Sequence, residues 1–272
     1  MSLALPDPFD LQHLQKQLEP LTLGRPLYYF ETIDSTNAFL RALPRDQTRH
    51  GALALADHQT AGRGRFARRW ASPPGQALLF SVLLEAAQPA SLWALLTLGA
   101  AVSLCRTLER KRIVSPRIRW PNDVLLGERK VCGILIEKAA TPTALVLGVG
   151  LNVHQQLEDF PPALRESAGS LHLAAPRAWQ REELLVAFLR DFEQVYAQWH
   201  DGQGDRILAD CRSRTSTLGR LVSLHSHGRR VEGVVMDLDQ DGSLVLREPT
   251  GIVSRWHSGD IEEIRWGMEK QP

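Results

Sequence analysis

The sequence predicts an α+β chain, a mixed β-sheet backed by helices and followed by a small C-terminal β-barrel. Three observations predict it. Between residues 27 and 217, apolar runs of strand length alternate with segments of helical period. Beyond Gly219 the runs shorten, alternate and are separated by turn residues. The length of 272 residues, with 43% hydrophobic and 23% charged residues, is enough for a buried core and about two domains. The division read from the pattern is a helical leader over 1–26, a main domain over 27–217 and the barrel over 218–272.

In chain order, Leu11, Leu14 and Leu18 recur at helical spacing before Pro20 and predict a short amphipathic helix. Leu27 to Thr32 reads as a strand, and Ser35 to Leu43 as a helix capped by Ser35 or Asp34. Ala52 to Ala56 and Ala77 to Leu84 are strands flanking a segment rich in glycine and arginine. The uncharged stretch Ala86 to Cys105 is long enough for a membrane span, but Gln88, Pro89, Ser91, Thr97 and Ser103 interrupt it. It reads as a core helix capped near Ser91. Strands follow at Arg117 to Trp120, Val131 to Glu137 and Ala144 to Val153, then helices at Arg181 to Trp199 and Asp205 to Ser213. The barrel strands are Val222 to His225, Val231 to Asp237, Ser243 to Arg247, Ile252 to Trp256 and Ile261 to Arg265, with turns at His227-Gly228 and Asp241-Gly242.

Lys+Arg of 32 against Asp+Glu of 31 leaves a net charge of +1, which removes a whole-chain electrostatic case for nucleic acid or anionic membrane. Cys105, Cys132 and Cys211 form no CxxC pair, which argues against a disulfide framework or structural zinc and for a reducing, cytoplasmic compartment. Residues 1–10 lack a basic stretch and carry Asp7 and Asp10, so no signal peptide is predicted.

Chemistry concentrates in Gln59-Thr60-Ala61-Gly62-Arg63-Gly64-Arg65-Phe66-Ala67-Arg68-Arg69-Trp70. Arginines at this density suit an anion, since each guanidinium is a planar, permanently charged donor, and the glycines let the backbone close over a ligand. A solvated basic loop is one alternative. A nucleic-acid arm with Phe66 and Trp70 stacking on bases is another. Neither GxxxxGK[ST] nor a strand-to-helix GxGxxG is present, so a P-loop or dinucleotide enzyme gains no support. Gly148 and Gly150 read as sites where a neighbour approaches a buried strand. Trp120-Pro121-Asn122-Asp123 ends a strand in a turn, and Lys130 sits at the mouth of the next one, where its ammonium could meet a carboxylate.

Five segments in this order resemble the biotin protein ligases: Ser35-Thr36-Asn37; the Gln59 to Trp70 loop; Arg119-Trp120-Pro121-Asn122-Asp123; Arg129-Lys130 with Gly133-Ile134-Leu135-Ile136-Glu137; and Gly148 to Asn152. The family's loop reads GRGRxGRxW, and GRGRFARRW matches it except that Ala67 stands where glycine is usual. The resemblance covers about residues 27 to 153, and the segment from Leu218 looks like the family's SH3-like barrel. It implies a class II synthetase-like catalytic domain that joins biotin and ATP into biotinyl-5'-AMP and passes biotin to a lysine of biotin carboxyl carrier protein in acetyl-CoA carboxylase.

By resemblance, Lys130, Arg63 and Arg65 are the catalytic cations, stabilising charge and moving no proton. Ser35, Thr36, Asn37, Gln59, Gly64 and Gly133, with those three cations, would form the biotin pocket. Arg68, Trp70, Asn122 and Asn152 would face the nucleotide, and Asp123 would help hold Mg²⁺. Arg265 would face either the nucleotide or solvent. Cys132 is expected to be structural. The leader is too short for the winged-helix repressor domain of some members, so the monofunctional form is implied, with no DNA binding and no membrane. The resemblance allows a homodimer through a sheet edge. A lipoate or octanoate transferase of related fold and a non-catalytic biotin-binding regulator are the alternatives.

Overall fold

In the computed structural model, residues 9–113, 115–226 and 228–263 are described. Helix α1, Leu11–Leu18, is capped by Asp10, whose side chain accepts from the His13 amide, and buries Leu14 and Leu18 completely. The leader therefore belongs to the main core. Strand β1, Leu27–Ile33, leads to α2, Thr36–Arg41, where Ser35 Oγ accepts from the Ala38 amide at 3.3 Å. Ser35, not Asp34, is thus the cap. Strands β2, Leu53–Gln59, and β3, Ala77–Glu85, flank the arginine loop as expected.

Helix α3, Trp93–Arg110, is long and apolar enough to cross a membrane, but most of it is buried within the fold. It does not begin at Ser91. A tight turn over Ala90–Leu92 supplies backbone partners for the first amides, so no side-chain cap is used. Strands β4, Arg117–Arg119, β5, Asp123–Leu126, β6, Arg129–Lys138, and β7, Ala144–Asn152, complete the sheet. Strand β5 was hidden in the sequence because four residues after a Pro-Asn turn carry little pattern. Tight turns at Leu157–Asp159 and Pro162–Leu164 lead to α4, Leu171–Ala174. Helices α5, Arg181–His200, and α6, Gly204–Arg214, then cross α3. The α3–α5 crossing is close, since a Cβ on Gly99 would lie 2.6 Å from Val195 Cγ1.

The seven strands run in the order β1-β2-β3-β7-β6-β5-β4, with β1 and β2 parallel and the other pairs antiparallel. The three long helices cover one face, where Leu78, Phe80, Val82, Leu147 and Leu151 enter the core. An ion pair of 2.6 Å between buried Arg181 and Asp57 ties α5 to β2.

The C-terminal strands are β8, Leu221–Ser226, β9, Arg229–Leu238, β10, Leu244–Arg247, β11, Val253–Trp256, and β12, Asp260–Glu263. They form an antiparallel sheet in the order β11-β10-β9-β8-β12, and no pairing joins the two ends among the described residues. Val222, Leu224, Leu244 and Leu246 merge with the main core, so the two sheets share one interior. Trp120 Nε1 donates to Gly242 O at 3.0 Å across that junction. Arg265 and His227 lie outside the described residues.

Candidate active site

The site lies on the face of the large sheet opposite the three long helices, a face that only α2 covers in part. Pairing aligns Arg119 with Asp123, Asp123 with Gly133, Gly133 with Gly150, and Gly150 with Leu79. Directly opposed residues share a face, so motifs scattered through the sequence stand in one row across five strands. A break in the β5–β6 register between Val124 and Leu125 then decides where Lys130 points. Counting back from buried Cys132 by strict alternation would turn Lys130 into the core. The extra residue, Val131, goes to the core instead, and Lys130 pairs with Leu125 on the cavity side.

The two opposed glycines make a shallow floor, and the Trp70 indole lies on it. A Cβ on Gly150 would come 2.6 Å from Trp70 Cε2, and one on Gly133 would come 3.0 Å from Cζ3. Lys130 Nζ lies 5.6 Å from the centroid of that ring. The indole N–H is buried with no acceptor among the described residues. An unmet buried donor costs about 1–3 kcal/mol, and a ligand oxygen or nitrogen would relieve it. Gly62 serves packing, since a Cβ there would sit 2.6 Å from Trp70 O.

At the β2–β3 end the cavity wall is neutral and polar. Gln59 Oε1 accepts from the Thr36 amide at 2.7 Å, and Thr36 Oγ1 shares a 2.7 Å hydrogen bond with Ser81 Oγ. Ser81 Oγ donates to Asn37 Oδ1 at 2.6 Å, and Asn37 Nδ2 donates to Glu137 Oε2 at 2.9 Å. Gly148 makes room for this chain: its Cβ would fall 2.1 Å from Asn37 Oδ1.

The cations come from the loop and from β6. Arg65 NH1 donates to Gly259 O at 3.1 Å and stands 3.4 Å from Asn122 Oδ1, while Arg68 NH1 donates to Asp260 Oδ1 at 3.2 Å. Burial lowers the Arg65 pKa below its ordinary value, against the opposing charges of Asp260 and Asp123. Arg63, Arg65, Arg68, Arg69, Arg119 and Lys130 open onto one cavity of about 620 Å³, which every sequence-predicted site residue also lines.

At two of the expected site residues the structure shows contacts that the sequence did not. Asp123 was expected to help hold Mg²⁺, but Lys130 Nζ is 2.6 Å from Oδ1 and Arg119 NH2 is 2.8 Å from Oδ2. A carboxylate with a cation on each oxygen is ill suited to ligate a metal ion directly. Asn152 lines the cavity as a brace: its Nδ2 donates to Gly169 O at 2.8 Å and its Oδ1 accepts from Gln155 at 2.9 Å. Burial pushes the Cys132 thiol well above its usual pKa, which suits the structural role expected for it.

Sequence reasoning gave no role to Ser81, Glu137, Arg119 or Asp260. Ser81 had a signal, a hydroxyl inside the apolar run Ala77 to Leu84. Asp260 had none, because its partner Arg68 lies 192 residues away.

The Biotin/lipoate A/B protein ligase family matches residues 29–152, and the Biotin protein ligase C terminal domain matches 217–262. The chain is 34% identical over 267 residues to the biotin--[acetyl-CoA-carboxylase] ligase of Mycobacterium tuberculosis, covering 95% of this chain and 97% of that protein. It is 32% identical over 248 residues to the bifunctional ligase/repressor BirA of Bacillus subtilis, covering 90% and 76%. The Aquifex aeolicus biotin protein ligase, solved in complex with biotin and ATP, superposes with a TM-score of 0.78 at 27% identity, covering 89% of this chain and 99% of that one. With the loop, the glycine floor and the C-terminal sheet all accounted for by these matches, the chain belongs to the biotin/lipoate A/B protein ligase family, among its biotin protein ligases.

Proposed function

We propose that the protein activates biotin with ATP and transfers it to a lysine of biotin carboxyl carrier protein, the acceptor domain of acetyl-CoA carboxylase. One observation carries the reading. Six cationic side chains open onto a cavity that neutral Thr36, Asn37 and Gln59 also line, with the buried Ser81 hydroxyl joining Thr36 to Asn37 behind them. That distribution suits a ligand with an anionic end and a neutral, hydrogen-bonding end.

In the first step a biotin carboxylate oxygen attacks the α-phosphorus, the bond to the bridging oxygen of the β-phosphate breaks, and pyrophosphate leaves. Each pair of unit charges 4 Å apart repels by about 4 kcal/mol at an effective dielectric of 20. Lys130, Arg63 and Arg65 offset that repulsion without transferring a proton. Asp123 keeps the Lys130 ammonium aimed along the floor, and magnesium arrives as part of the nucleotide substrate. Trp70 offers its indole N–H to an acceptor of the bound nucleotide. In the second step the neutral amine of the carrier lysine attacks the acyl carbon, AMP leaves, and an amide forms. The loop from Gly62 to Trp70 covers the adenylate and excludes water between the steps.

Three buried free thiols support a cytoplasmic site of action. β1 is an end strand of the large sheet among the described residues, and the same reading allows a second copy to pair there.

The test is biotin-dependent exchange of labelled pyrophosphate into ATP, run in parallel with lipoate and octanoate. Exchange with biotin alone is expected. Exchange with lipoate or octanoate instead would move the assignment to the other branch of the family, and none with any acid would reject ligation.

A further inference from the structure

Glu137 places a negative charge beside a site whose proposed work is to gather two more. On β6, Gly133, Leu135 and Glu137 alternate onto the cavity side. The Glu137 side chain is 17% exposed and three groups hold it. Asn37 Nδ2 donates to Oε2 at 2.9 Å, Arg41 NH1 donates to Oε1 at 2.8 Å, and Arg63 NH1 stands 3.6 Å from that same oxygen. The first two contacts are hydrogen bonds. The third is a looser Coulombic contact from a side chain that is 49% exposed. Arg41 is anchored a second time, through Nε to Lys138 O at 3.1 Å. Of the two guanidinium groups, Arg41 is therefore fixed and Arg63 can leave.

We propose that Glu137 is a positioning residue, the resting counter-ion of Arg63, and that the carboxylate of the acid substrate displaces it from that arginine. Arg41 stays to neutralise Glu137 when Arg63 turns to the ligand. No bond is made or broken; one carboxylate replaces another. The inference rests on the biotin reading above, and it makes the empty site a poorer anion trap than its arginine content suggests.

The test uses Glu137→Gln, which keeps an acceptor for Asn37 Nδ2 and removes the charge. Binding of biotin and of its neutral carboxamide is measured by calorimetry at fixed ionic strength. The Kd for biotin is expected to fall about two- to five-fold, the range for a partly exposed ion pair, while that for the amide is unchanged. In an Arg63→Ala background the same substitution should leave the biotin-to-amide affinity ratio where it was. Equal shifts for both ligands, no shift, or a ratio that still moves without Arg63 would each overturn the proposal. If wild type binds both ligands and the ratio stays fixed, biotin recognition stands and the Glu137 role alone falls. If wild type binds neither, both fall.

Discussion

Lys130 Nζ stands 2.6 Å from Asp123 Oδ1, and Arg119 holds the other oxygen of that carboxylate at 2.8 Å. The turn after β4 thus aims the ammonium that the β6 bulge has turned toward the cavity. Lys130, its side chain 30% exposed, stands at the cavity and outside the apolar core.

Lys130→Ala is therefore expected to slow biotin-dependent pyrophosphate exchange by about 10²- to 10³-fold, the usual loss for a transition-state charge partner. Its melting temperature should stay within about 3 °C of wild type, because Asp123 keeps Arg119. Calorimetry with exchange kinetics checks both, and wild-type exchange would remove Lys130 from the reaction.

Trp70→Phe keeps a ring over Gly133 and Gly150 but deletes an N–H that has no acceptor among the described residues. Stability should hold or rise by up to about 1 kcal/mol. Affinity for a non-hydrolysable biotinyl-AMP analogue should drop about three- to tenfold, read by titration. Unchanged affinity would mean the indole N–H meets no ligand atom.

Ser81→Ala removes the hydroxyl that joins Thr36 to Asn37 in the interior. Leaving buried polar partners unmet should cost about 1–3 kcal/mol, measured by urea unfolding. Biotin binding should weaken while ATP binding does not, because the network lies at the neutral end of the cavity.

Arg65 reaches Gly259 O, and Arg68 reaches Asp260, so the loop is fastened to the C-terminal sheet. Arg65→Ala and Asp260→Asn should each release the adenylate faster, with Arg65→Ala the larger effect because its guanidinium is the more buried. Single-turnover trapping of biotinyl-AMP reads the rate, and retention equal to wild type in both would refute the clamp.

Burial, reinforced by the charges of Arg181 and His172, pushes the His154 pKa down to about 4. The unfolded chain titrates near the ordinary value of 6.5, so below that pH it binds a proton that the fold refuses. Stability from this group is present above 6.5 and is lost as pH falls toward 4. His154→Gln should flatten the drop in melting temperature over that window by about 2–4 °C. A mutant curve parallel to wild type would show that His154 titrates normally in the fold.

Sequence alone determined the chemistry-bearing residue types, the strands and helices carrying most of them, and the family. Those features are local: a cap at Ser35 or Asp34, a run of arginines between glycines, apolar stretches of strand length. It could not determine facing. The side of the sheet that Lys130 takes depends on one extra residue at Val131, and that is settled by hydrogen bonding to β5 and not by the alternation of β6. The opposition of Gly133 and Gly150 under Trp70, and the pairing of Asp123 with Lys130, likewise arise from register. Register comes from contacts between strands distant in the chain, so the partners of each charge, and hence its role, were decided by tertiary structure.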